Sequence, residues 1–133
     1  HIPFDANLVY TCENVTFDEG RHFAEKIVKD HKDIDGIFAV TDLVAVGVIA
    51  YLNEQKIEIP KKIAIIGFSN WFMSQVISPK LSTVDQPSHE MGIESFNLLL
   101  EEMVCHKDGI TFEPRTVELD TKIIERESTM KVQ

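Results

Sequence analysis

The sequence predicts an α/β fold with a parallel sheet flanked by helices. Three observations carry this. Short apolar runs alternate with amphipathic stretches of helical period along the chain. The runs GIFAV and KIAIIGF are too short for buried helices and too continuous for half-exposed strands. Three of the runs end in small polar groups, Val40-Thr41-Asp42, Phe68-Ser69-Asn70 and Val84-Asp85-Gln86. Open α/β sheets bind ligands at that edge.

Leu8 to Cys12 (LVYTC) reads as the first strand. TFDEGRHFAEKIVKDHK follows as a helix. Thr16 and Glu19 have capping-box spacing, in which each side chain satisfies a free N–H at the helix start. Such a cap is worth about 1 kcal/mol. Phe23, Ile27 and Val28 form the apolar face, and Lys26, Lys29 and Lys32 suit the negative end of the helix dipole. Gly36 to Val40 is the second strand. Asp42 is then a natural N-cap for LVAVGVIAYLNEQ. This helix is apolar almost all round from Leu43 to Leu52, so more than one of its sides is buried.

Lys62 to Phe68 is a strand, and Phe72 to Ile77 a short helix stopped by Pro79. Leu81 to Val84 is a brief strand. His89 to Val104 is helical, with Gly92, Phe96, Leu99, Leu100 and Met103 on one face. Alternation of Val117, Leu119, Thr121 and Ile123 with charged residues predicts a half-exposed last strand.

Composition limits the function. The chain has 133 residues, 44% hydrophobic and 26% charged, an ordinary globular mix large enough for one core. No apolar run approaches the ~20 residues of a membrane span. The net charge is −9, with Lys and Arg scattered, so this piece is not expected to bind nucleic acid. Cys12 and Cys105 lie far apart without metal spacing and read as reduced thiols of a cytoplasmic protein. His22, His31, His89 and His106 read as solvated helix residues, and no pair has metal spacing. GFSN lacks the second Gly of a nucleophile elbow, and no phosphate loop or dinucleotide fingerprint occurs. The expectation is a non-enzyme without a cofactor or metal.

The series DGIFAVTDLVAVGVIAYLNEQKIEIPKKIAIIGFSNWFMSQVISPKLSTVDQPSHEMG, followed by Glu125-Arg126-Glu127-Ser128, resembles the effector-binding domain of lac-repressor (LacI/GalR) family transcription regulators. The pattern of that family includes D-A-I-F, N-D, G-F-D, L-T-T-V, Q-P and a closing R-E-S, and the match runs in order over nearly the whole chain. The resemblance implies the type I periplasmic-binding-protein fold, two α/β subdomains with the effector between them. It implies that residues 1–133 are the C-terminal part of that domain, mainly the C-terminal subdomain. The DNA-binding headpiece and the first half of the domain would lie outside this chain. The segment around Gln86 and the helix from His89 would cross to the N-terminal subdomain.

Carried over residue by residue, Ser69 stands where many members have an effector-binding Asp, and Thr41 where sugar-binding members often have Asn. Gln86 matches a Gln near the cleft and hinge. Val15 aligns with a cleft aromatic that Phe17 or Trp71 replaces. The implied ligand set is Val15, Phe17, Thr41, Asp42, Ser69, Asn70, Trp71 and Gln86, a less polar site than the family norm. Bland roles stand beside these: Asp42 as a helix cap, Ser69-Asn70 as a turn, Gln86 as structural, and Trp71 as a stacking platform, a dimer contact or a surface anchor. The family's dimer mode implies an interface at Val46, Ile49, Phe72, Met73, Val76 and Ile77. The implied partners are a small sugar-like effector, a second copy of the chain, and operator DNA through the headpiece, with no membrane. A secreted sugar-binding protein of a transport system shares the fold. The IPKKIAIIGFSN and LSTVDQP signatures favour the regulator.

Overall fold

A computed structural model describes residues 3–130. The chain divides into two compact units, His1–Asp85 with Ile123–Gln133, and Gln86–Lys122.

The first unit begins with a short 3-10 turn, Ala6–Leu8, capped by Asp5, whose side chain accepts from Asn7 N–H. Helix α1 spans Phe17–Asp30 and carries the expected capping box. Thr16 Oγ1 accepts from Glu19 N–H at 3.2 Å, and the Glu19 carboxylate accepts from Thr16 N–H at 3.0 Å and from Glu13 N–H at 2.6 Å. Strand β1 is Gly36–Phe38, followed by α2, Asp42–Glu54. Strand β2 is Ala64–Phe68, α3 is Met73–Val76, β3 is Ser82–Asp85 and β4 is Lys122–Ile124. The sheet order is β1-β2-β3-β4. The ladders β1–β2 and β2–β3 are parallel, with Ile37 opposite Ile65 and Gly67 opposite Thr83.

The core lies between the sheet and α2. Leu52, Ile65 and Leu81 have no exposed surface, and Val44, Ala45, Val48 and Ile49 line the same cluster. The breadth of this buried surface on α2 explains its nearly continuous apolar sequence. Helices α1 and α2 approach at two glycines. A Cβ on Gly20 would run into the Val44 carbonyl, and one on Gly47 into the Phe17 carbonyl. Arg21 closes the crossing with a bidentate pair to Glu54, at 2.6 and 2.7 Å. Ser128 pins the chain end to the sheet. Its hydroxyl donates to the Ile65 carbonyl at 2.6 Å and accepts from Ser82 N–H at 2.8 Å.

Three expectations need correction. Leu8 to Cys12 is not a strand: Leu8 ends the 3-10 turn and residues 9–12 join no ladder. Tyr10 explains this, because side chains tie the segment to α1. Its ring packs on Phe23 with centroids 5.7 Å apart, its hydroxyl bonds His31 at 2.8 Å, and Lys26 lies over its face. His31 is accordingly half-buried and hydrogen-bonded rather than freely solvated. The cap of α2 is Thr41, which accepts from Val44 N–H, and Asp42 is the first helical residue.

In the second unit, α4 spans Ser88–Lys107 and buries none of its residues. Phe96, Leu99 and Met103 of its apolar face are all more than half exposed. The expected last strand is ordered as strand only from Lys122. Val117, Leu119 and Thr121 instead line a groove of about 330 Å³ with Met91 and Leu98. Their alternation reflects packing beside a helix, which favours the same one-sided pattern as a half-exposed strand.

Candidate functional site

The carboxyl end of β2 runs into an elbow, Ser69-Asn70-Trp71. Ser69 has φ 107° and Asn70 φ 50°, both left-handed. Asn tolerates that region, whereas a Ser there is strained by about 1–3 kcal/mol and persists only where its surroundings hold it. Those surroundings are polar and chain-distant. Ser69 N–H donates to the Val84 carbonyl at 2.8 Å. Asn70 N–H donates to Thr83 Oγ1 at 3.2 Å, and its side-chain amide donates to Asp85 at 2.9 Å.

Asp42 is the centre of the support. It is fully buried. One carboxylate oxygen accepts from the Thr83 hydroxyl and the other from Trp71 N–H, each at 2.6 Å. Burial pushes its pKa up, opposed by those two hydrogen bonds and by the positive charge of Arg126. Gly67 makes the arrangement possible, since a Cβ there would collide with the Asp42 carboxylate. The Gly of GFSN thus serves a close approach, one of the two standard uses of glycine.

Arg126 holds the elbow from the other side. Its guanidinium donates to Asn70 Oδ1 at 2.8 Å, to the Leu81 carbonyl at 2.8 Å and to Ser74 Oγ at 3.0 Å. Asn70 and Asp42 are therefore occupied within the fold. The Ser69 side chain is not enlisted in this network, and the residue sits half-buried at the turn, with Trp71 beside it 42% exposed. Trp71 and Phe72 stack edge to face with centroids 5.1 Å apart.

The expected site residues fall into five places. Ser69, Asn70 and Trp71 form the elbow, with Asp42 beneath it. Thr41 lies at the end of the β1–α2 connection, its hydroxyl engaged in capping. Phe17 begins α1, its carbonyl against Gly47. Gln86 opens the second unit directly after β3, its carbonyl accepting from Ser88 N–H. Val15, with φ 54°, lines a separate cavity of about 630 Å³ between the Leu8–Cys12 segment, α1 and β1. That cavity is walled mainly by apolar side chains, including Phe23, Ile37, Val44 and Val48. Its polar side chains are Thr11, Cys12 and the mutually bonded Tyr10 and His31, fewer free hydrogen-bond groups than a polyol needs. The elbow is the better candidate.

Of the residues expected at an interface, Phe72 and Val76 are 62% and 66% exposed. Val46, Met73 and Ile77 are half-buried. Ile49 is a correction: at 3% exposure it is spent in the core. The sequence reading missed the supports Gly67, Thr83, Ser74 and Arg126. The G-F-D, L-T-T-V and R-E-S pieces of the family pattern contain Gly67, Thr83 and Arg126, whereas nothing in the sequence singled out Ser74.

The chain resembles known proteins of one family. A family model described as a periplasmic binding protein-like domain matches residues 4–129. The chain is 34% identical over 130 residues to the HTH-type transcriptional regulator RegA of Clostridium acetobutylicum, covering 96% of this chain and 36% of RegA. It is 35% identical over 134 residues to the HTH-type regulator MalR of Clostridium butyricum, covering 99% of this chain and 38% of MalR. The chain thus spans little more than a third of the length of these relatives. Among solved structures, a transcriptional regulator CelR–cellobiose complex superposes with a TM-score of 0.86 at 26% identity, over 96% of this chain and 37% of that one. The transcription regulator CcpA of Lactococcus lactis gives 0.84 at 28%, over 97% and 45%. A LacI family regulator from Enterococcus faecium with bound ribose gives 0.74 at 30%, over 86% and 40%. The chain therefore belongs to the periplasmic binding protein-like domain family, in its LacI-type branch of transcriptional regulators.

Proposed function

We propose that the chain is the ligand-sensing and dimerisation part of a DNA-binding transcriptional regulator. It takes a small effector, a sugar or sugar derivative, in the cleft between the two subdomains of the complete domain. One observation carries the reading. An elbow with left-handed φ leaves the Ser69 side chain outside the polar network at the carboxyl edge of a parallel sheet, beside a partly exposed indole. The Ser69 hydroxyl would meet the polar edge of a sugar, and Trp71 its C–H face. Ligand names in two related structures, cellobiose and ribose, point the same way. Residues 1–133 would form the C-terminal part of the effector domain, with operator DNA contacted by an N-terminal headpiece elsewhere in the protein. A net charge of −9 suits that division of labour.

The effector acts only through its different affinity for the two arrangements of the domain. A thermal-shift screen of sugars, sugar phosphates and purines on the full-length protein tests the reading. A specific effector at 100 times its dissociation constant stabilises by about 2.7 kcal/mol. Stabilisation by none of the sugars would set the sugar class aside.

The same reading gives α3 to a two-fold, isologous dimer. Phe72 and Val76 present apolar surface next to Trp71, and contiguous patches of this kind mark interfaces. Sedimentation at protein concentrations on the order of tens of micromolar should show a dimer, and Val76→Asp should return it to monomer. A monomeric wild type under these conditions would remove α3 from the account.

A further inference from the structure

The R-E-S ending has a place in the site. The Arg126 backbone is gripped at both polar groups by one side chain. Its N–H donates to Ser82 Oγ at 2.7 Å, and Ser82 Oγ lies 3.0 Å from its carbonyl. The guanidinium thus starts from a fixed root. It reaches three neutral acceptors: Asn70 Oδ1 in the elbow, Ser74 Oγ in α3 and the Leu81 carbonyl before β3. Ser74 and Leu81 are fully buried. Among the described residues no carboxylate lies within ion-pair distance of Arg126, so these acceptors set its position. A planar guanidinium serves several acceptors in fixed directions, which a lysine cannot do.

We propose that Arg126 is a positioning residue that couples the elbow to α3. A ligand that displaces the Asn70 amide must turn the guanidinium, and the turn is felt at Ser74, on the helix that carries Met73 and Val76 and follows Phe72. The inference rests on the reading of the elbow as an effector site for its meaning, but its test needs no effector. A failed sugar screen and a failed coupling test are therefore separate results.

The test is a double-mutant cycle read by amide NMR shifts in the full-length protein. Asn70→Ala, Arg126→Met and the double variant are compared with wild type. The amides of Ser74, Gln75 and Ile77 report on α3, since their bonds to Trp71, Phe72 and Met73 close that turn. Asn70→Ala should shift them in the Arg126 background, and by at least about three-fold less when Arg126 is Met. Equal shifts in both backgrounds, or none at α3, would overturn the coupling. If Arg126→Met does not fold, Arg126→Lys keeps the charge without the fork. Asn70→Ala should then act on α3 more weakly than in wild type, and an undiminished effect there also overturns the coupling.

Discussion

At the scale of single residues, the account rests on Asp42. Its two oxygens serve donors from β3 and from the elbow. Asp42→Ala leaves the Thr83 hydroxyl and Trp71 N–H without that acceptor, and such orphaned donors cost about 1–3 kcal/mol each. Urea unfolding should therefore show a loss of about 3 kcal/mol. Gly67→Ala attacks the same site from the opposite side. Its Cβ would meet the Asp42 carboxylate and sit 3.0 Å from Leu81 Cδ2, and overpacking of this kind costs about 1–3 kcal/mol. The sequence showed that β2 delivers Ser69-Asn70-Trp71 to a strand tip. It did not show what holds them there. Arg126 lies 56 residues from Asn70, and Asp42 lies 29 from Trp71. Local spacing carries no trace of bonds that only the sheet brings together. The same limit misplaced the α2 cap: Thr41 and Asp42 are both good caps, and the choice fell to Thr83 and Trp71, which draw Asp42 inward.

At the scale of elements, signals local to a helix were readable and signals that need a neighbour were not. The capping box of α1 follows from Thr16 and Glu19 alone, and Thr16→Ala should cost about 1 kcal/mol in thermal unfolding. Glu19 also gives α1 an acid sensitivity. Burial pushes its pKa up, but backbone N–H bonds from Glu13, Thr16 and Asn14 outweigh this and leave it below its ordinary 4.5. The contribution of a lowered carboxylate is complete above the unfolded pKa and is lost as pH falls through the folded one. The advantage of wild type over Glu19→Gln in unfolding free energy should shrink as pH falls from about 6 to about 3. A constant difference across that range would contradict it. The glycines of the α1–α2 crossing behave differently. Alanine gains about 1 kcal/mol in helix propensity, yet at Gly47 its Cβ overlaps the Phe17 carbonyl, and the overlap wins. Gly47→Ala should therefore lower the melting temperature. The Leu8–Cys12 segment shows the opposite case. Its β-rich composition predicts a strand, but Tyr10 anchors it to α1, and a strand needs a ladder partner as well as a propensity.

At the scale of the molecule, the alternation of strands and helices was enough to give the parallel α/β sheet, and the ordered series from DGIF to R-E-S gave the family. Neither reached the exposed face of α4, because burial there depends on what packs beside a helix and not on its own period. The central claim is that the elbow of β2 meets the effector, and the most direct measurement is calorimetric. The dissociation constant of the effector found by the thermal screen is compared between the wild-type regulator and Ser69→Ala. A lost hydrogen bond of about 1.4 kcal/mol predicts a roughly ten-fold weaker affinity, at the upper end for a neutral pair. An affinity that Ser69→Ala leaves unchanged would contradict the assignment of the site.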